Sequence, residues 1–211
     1  MILGILVEQG SEWTDIATFV ISLITAIIAL LALFVWRAEK LHDIRIEALA
    51  KSRRAYNLIY HLRSPVSSIA EIDDKLLNNW KSKNGDKKLT PAEASYLIYH
   101  SKLDRYRETY KEVEILREKL WANYEDNNPF LQFYNFVLDT IGEVGHAHHS
   151  LLILSDYEIY TRNEFNEERI NARKITYTLT GDKISVRLDE LYEGVKNERN
   201  KASWFLLSSK I

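Results

Sequence analysis

Cysteine is absent from this chain of 211 residues, and so are the signatures of the commonest enzyme classes. Without cysteine there is no disulfide framework, no cysteine-based metal site and no thiol nucleophile. The sequence has no glycine-rich phosphate loop, no Gly-x-Ser-x-Gly and no His-Glu-x-x-His, so the usual nucleotide-binding, serine-hydrolase and zinc-protease motifs are missing. We therefore expect no cofactor. The net charge of −2 does not point to nucleic acid either, and direct binding of nucleic acid stays open.

Charged residues, proline and glycine are all missing from residues 16–36, IATFVISLITAIIALLALFVW. A helix needs about 20 apolar residues to cross the hydrocarbon of a bilayer, and this stretch is long enough. Trp13 and Trp36 bracket it, as expected of rings at the two membrane–water interfaces. The sequence predicts a single transmembrane helix over residues 16–36. It is preceded by an external segment, residues 1–15, and followed by a helical cytoplasmic domain, residues 37–211.

Basic residues are missing before this stretch and frequent after it. The segment before it carries Glu8, Glu12 and Asp15 without lysine or arginine, whereas Arg37 and Lys40 begin a basic series that follows it. Short loops rich in lysine and arginine stay in the cytoplasm, so we expect the N-terminus outside and the large domain inside. Arg37 and Lys40, with Trp13 and Trp36, are the expected membrane-interface residues. The bilayer is therefore an expected partner, and basic residues at its surface favour anionic lipid heads.

One side of the predicted span is lined by small or polar residues at heptad spacing. They are Asp15, Thr18, Ser22, Thr25, Ala29 and Ala32. Small residues allow helices to approach closely, and hydroxyl groups can bond across an interface or face water. This stripe is therefore a candidate pore lining or helix–helix interface. The alternative is that its hydroxyl groups bond back to carbonyls of their own helix.

The rest of the chain carries the helix start signals of an all-α fold. Each of the three prolines follows a residue that favours a helix N-cap, at Ser64, Thr90 and Asn128, and this predicts helices over 65–83, 91–124 and 129–154. Residues 175–188 fit two structures. The alternation of apolar and polar residues on both sides of Gly181 fits a hairpin. An apolar stripe through Ile184 and Leu188 fits a helix, which is the structure we favour.

A group of histidines in the 129–154 helix is the only candidate for metal binding. Glu143 and His146 have the Glu-x-x-His spacing of carboxylate-bridged metal sites in helical bundles, but those sites need a second such motif on another helix. The sequence contains none. We therefore expect structural roles for Glu143 and His146 and no metal, with weak metal binding as the alternative.

Arg54 and His61 form the most suggestive pair for catalysis. Seven residues are almost two helical turns, so both side chains project from one face of a helix. Arginine can hold a phosphate and histidine can move a proton near neutral pH, which together could support RNA cleavage. Such a spacing also arises by chance in a helix rich in arginine and lysine, where both residues would be structural.

Three features of this sequence stand together: the N-terminal span with its small and polar stripe, the cysteine-free helical domain, and Arg54 with His61 on the first helix of that domain. In this combination the chain resembles the small membrane accessory protein of type VI-B CRISPR systems. The resemblance implies a divergent helical domain of the HEPN type, whose nuclease members carry Arg-x4–6-His. It also implies a ring of copies whose spans form a pore in the bacterial inner membrane. Such a pore depolarises that membrane and strengthens the antiviral defence of an RNA-guided, RNA-cleaving effector.

Three functions are therefore considered. The resemblance favours a homo-oligomeric membrane pore that acts as a defence effector and has other copies of the chain as its partners. The second is a membrane-tethered ribonuclease that uses Arg54 and His61. Since Ala55 follows Arg54 where active nucleases of this class usually carry a polar residue, enzyme activity is not the favoured interpretation. The third is a passive membrane-anchored scaffold.

Overall fold

The computed structural model describes the backbone of residues 2–64, 72–155, 165–177 and 181–208. Side chains are described over the same ranges, except residues 2–12 and 199–208. In these ranges the chain forms seven helices and no strand, which confirms the all-α fold class. The helices are α1 (Ile2–Arg63), α2 (Asp74–Asn84), α3 (Pro91–Arg105), α4 (Arg107–Trp121), α5 (Pro129–Ile153), α6 (Asn166–Thr176) and α7 (Lys183–Ser208).

The chain divides into two units, Met1–Ile44 and Arg45–Ile211, which are described separately. The first unit consists of the N-terminal part of α1. Every side chain from residue 13 to residue 40 is exposed, including large apolar groups such as Phe19, Ile28 and Phe34. By length and composition alone, α1 is long and apolar enough to cross a membrane.

The second unit is a bundle built around α5. This helix packs against α3, α4, α6 and α7, and it buries a continuous face that includes Phe130, Phe133 and Val137. The part of α1 in this unit adds buried residues at helical spacing, which are Ala48, Ala55, Leu58, Ile59 and Leu62. Each large side chain buried in this way contributes about 1.5–3 kcal/mol to folding.

Two of the three proline-marked helix starts are confirmed. The Thr90 side chain accepts a hydrogen bond from the Glu93 amide while the Glu93 carboxylate accepts one from the Thr90 amide, which completes a capping box. Asn128 caps α5. The start predicted at Pro65 lies outside the described residues. The prediction of one continuous helix over 65–83 is nevertheless wrong, because Asp73 has an extended backbone and caps a helix that begins at Asp74.

The single helix predicted over 91–124 is wrong, because the chain breaks at Tyr106 into α3 and α4. Tyr106 leaves the helical region at φ −99° and ψ 16°. Both halves then pack against α5, and the Tyr106 ring stacks on the His61 ring of α1 with centroids 5.0 Å apart. No glycine or proline marks this position, and tertiary packing overrides the local helical preference there.

Between residues 175 and 188 the favoured helical interpretation holds at both ends, with a break between them. α6 ends at Thr176 and α7 begins at Lys183, and the described residues of this stretch contain no strand. The chain turns at Gly181, whose φ of 77° suits glycine. Asp182 then accepts hydrogen bonds from the amides of Ile184 and Ser185 and so caps α7.

Candidate functional site

The stripe on α1 is exposed along its whole length, from Asp15 to Ala32. Its three hydroxyl groups each donate a 2.8 Å hydrogen bond to the carbonyl four residues earlier; the donors are Thr18, Ser22 and Thr25. Their protons are therefore satisfied within the helix, as the alternative interpretation predicts. Each hydroxyl oxygen keeps acceptor capacity, and the side chains remain small, so the stripe still offers a narrow polar surface to water or to another helix.

The expected membrane-interface residues flank this exposed stretch. Trp13 is 72% exposed and Trp36 is 59% exposed. The Lys40 ammonium lies 5.6 Å from the centroid of the Trp36 ring, close enough for a cation–π interaction. Arg37 is also exposed. At this end of the stretch, two cations and an indole ring therefore lie within five residues.

Other members of the basic series are engaged inside the helical domain. Arg45 pairs with Glu198, and Lys51 pairs with Glu47 on its own helix and with Glu112 on α4. These lysine and arginine side chains hold elements of the domain together, so they are poorly placed to act as lipid-binding cations. The interface role of Arg37 and Lys40, whose side chains are exposed, stays a prediction.

The structure places Arg54 and His61 on α1, but each makes a contact of its own. The Arg54 guanidinium lies 3.9 Å from the Glu112 carboxylate, with 70% of the Arg54 side chain exposed. The exposed His61 ring stacks on Tyr106 at an interplanar angle of 10°. A carboxylate beside the arginine competes with a phosphate for it. The geometry thus gives both residues structural contacts and adds no observation in favour of RNA cleavage.

Glu143 and His146 are exposed on α5 and line a shallow cavity of about 580 Å³. Glu168 of α6 lines the same cavity, so the structure does bring one further carboxylate to this side of the helix. However, among the described residues no group of three or more His, Asp or Glu side chains is placed to hold a metal ion. The expected structural role of Glu143 and His146 stays a prediction.

Burial strongly perturbs the pKa of a neighbouring histidine, His148. The residue is 3% exposed, the ring Nδ1 lies 3.2 Å from the Ser95 hydroxyl oxygen, and the ring stacks on Tyr99. Burial, reinforced by the positive charge of His100 and Lys102, lowers the pKa of His148 to about 4. The histidine is therefore neutral at physiological pH and joins α3 to α5.

We expect the stability of the helical domain to fall on acidification because of His148. The unfolded histidine titrates near pH 6.5 and the folded one near pH 4, so between these values the unfolded state binds more protons. The free energy of unfolding should decrease by up to about 3 kcal/mol from pH 6.5 to pH 4. Urea titrations at several pH values would measure this. The His148→Gln variant should reduce the pH dependence and the exposed His149→Gln should not; equal slopes in all three proteins would contradict the assignment.

Arg63 is the residue that sequence reasoning missed. It is 1% exposed at the end of α1. Its guanidinium donates hydrogen bonds to the carbonyls of Lys174, Ile175 and Tyr177 at the end of α6, and it forms a 3.0 Å ion pair with Asp182. Burial raises the pKa of Asp182, but hydrogen bonds from Ser185 and Arg63 outweigh burial, and the pKa is lowered. One side chain thus holds the α6–α7 junction, and no local sequence signal marks it.

Comparison with known families, curated proteins and solved structures finds no match for this chain.

Proposed function

We propose that this chain is a single-pass membrane protein whose copies assemble through α1 into a pore, and that the pore is an antiviral defence effector. The observation that carries the proposal is the exposure of every side chain from residue 13 to residue 40. Soluble monomers rarely expose contiguous apolar patches larger than a few hundred Å². A bilayer around residues 16–36 would remove these apolar side chains from water.

The flanking residues support one orientation. Arg37 and Lys40 adjoin Trp36 at one end, while the residues before Ile16 include Asp15 and carry no lysine or arginine. By the positive-inside rule, the N-terminus lies outside and the bundle in the cytoplasm. The resemblance to the CRISPR accessory proteins adds the bacterial inner membrane as the location.

The stripe supports assembly with other copies of the chain. A helix surrounded by lipid gains nothing from one polar side, whereas small residues at heptad spacing allow close helix packing. In a ring of copies the hydroxyl oxygens of Thr18, Ser22 and Thr25 would face inward, where water can satisfy their acceptors. Depolarisation of the membrane, and a functional link to an RNA-guided RNA-cleaving effector, follow from the resemblance.

The ribonuclease alternative is not favoured by a specific observation, because Arg54 faces Glu112 and His61 stacks on Tyr106. The passive scaffold differs from the pore in its assembly state. It predicts a monomer or dimer without conductance.

The mass of the full-length protein, solubilised in mild detergent, tests the proposal. We expect one discrete species whose protein mass is a high multiple of the 24.7 kDa chain. Light scattering coupled to size-exclusion chromatography separates the protein mass from that of the detergent. A monomer across several mild detergents would contradict the proposed pore.

A further inference from the structure

A second feature, separate from the stripe, is a cavity of about 880 Å³ in the helical domain. Its walls come from the start of α3, the end of α5 and one side of α6. Small-molecule sites typically have volumes of about 300–1,000 Å³ and are mostly apolar with a few polar groups. The volume of this cavity therefore lies within the range of small-molecule sites.

The α5 wall is aliphatic and the α6 wall is cationic. Leu151, Leu152 and Leu154 line one side. Arg169 and Arg173 line another, and their spacing of four residues places both guanidinium groups on one face of α6. Arg169 is buried and donates a hydrogen bond to the Asn166 side chain, which fixes its position, whereas Arg173 is exposed.

One carboxylate, that of Glu93, also lines the cavity. Its two oxygens accept hydrogen bonds from the Thr90 amide at 2.8 Å and from the Trp80 indole at 3.3 Å. The capping box therefore holds this carboxylate at the start of α3. Arg169 is already engaged by a hydrogen bond, so the exposed Arg173 is the guanidinium on this lining that faces solvent.

We propose that this cavity binds an aliphatic chain with an anionic head, as in a fatty acid or a monoacyl phosphate. The leucines would cover the chain, and the Arg173 guanidinium would bind the carboxylate or phosphate, for which its planar group is suited. Tyr177 is the one aromatic ring among the described lining residues, which disfavours a stacked nucleobase. The proposal does not depend on the pore.

Photolabelling tests it in the full-length protein, reconstituted in nanodiscs of phosphatidylcholine. The probe is a long-chain fatty acid with a diazirine in its chain, and the labelled peptides are identified by mass spectrometry. We expect labelling of the peptide that contains Leu151–Leu154, in addition to labelling of α1 by probe dissolved in the bilayer. The α1 labelling serves as the internal standard.

Competition and charge reversal decide the result. Decanoate or decyl phosphate should suppress the Leu151–Leu154 label and decanol should not. Whichever of the two anions suppresses the label more strongly identifies the preferred head group.

Arg173→Glu should lower this label about tenfold or more, the size expected when a charge-assisted hydrogen bond is replaced by repulsion. Arg187→Glu, an exposed cation outside this lining, should leave it unchanged. Labelling confined to α1, equal labelling in Arg173→Glu, or equal competition by decanol would each overturn the proposal.

Discussion

Replacement of Ser22 and Thr25 together by leucine should abolish the membrane depolarisation proposed for this protein while leaving its expression intact. Both residues lie in the exposed polar stripe of α1. Leucine removes the two hydroxyl oxygens and adds bulk, so it blocks water and prevents close approach of helices. The double variant should still insert, because it makes the span more apolar. A potential-sensitive dye in cells that express the protein, under conditions where the wild type depolarises them, measures the effect.

A matched control exists on the opposite side of α1. Val20 and Ile27 lie about half a turn away from the stripe, at 100° per residue, and both are exposed apolar residues. Val20→Leu adds one methylene group and Ile27→Leu changes only the branching, so this pair of substitutions alters the apolar surface without touching a hydroxyl group. This control should depolarise like the wild type. If the Ser22 and Thr25 double variant also depolarises normally, the stripe does not line a pore.

Substitution of Arg63 by methionine should have the largest effect on the stability of the helical domain. Methionine fills part of the buried volume but leaves the Asp182 carboxylate and three carbonyls of the α6 end without the guanidinium. Removal of one partner of a buried ion pair typically costs about 3–5 kcal/mol. Urea titration followed by the fluorescence of tryptophans in the domain would measure the loss.

A variant in a surface ion pair is the control for Arg63→Met. Arg107 is 65% exposed and pairs with Asp104 at 2.6 Å; because solvent screens this pair, Arg107→Met should cost less than about 1 kcal/mol. Hydrogen exchange adds a local measurement, since amides around the end of α6 and the start of α7 should lose protection in Arg63→Met. Similar losses in both variants would show that Arg63 does not hold the junction.

The parts of the fold that the sequence predicted have local causes. The helix starts after Thr90 and Asn128 depend on hydrogen bonds between residues two or three positions apart, and the apolar character of residues 16–36 depends on composition alone. Such signals are complete within a short window of sequence.

The parts that could not be predicted depend on residues far apart in the chain. Arg63 binds the carbonyl of Ile175, 112 positions away, and the break at Tyr106 accompanies a stack on His61. Arg54 and His61 illustrate the same limit at a candidate site. Their spacing is visible in the sequence, but the carboxylate of Glu112 beside Arg54 is known only from the fold.

The accessibility of single cysteines in α1 tests the central proposal, that the stripe lines a water-filled pore, most directly. The chain contains no cysteine, so each introduced thiol is the sole target of a charged, water-soluble methanethiosulfonate reagent. In membranes of depolarised cells we predict modification of Ser22→Cys and Thr25→Cys, and protection of Val20→Cys and Ile27→Cys within lipid. Protection of all four positions, or modification without preference for the stripe, would contradict the account.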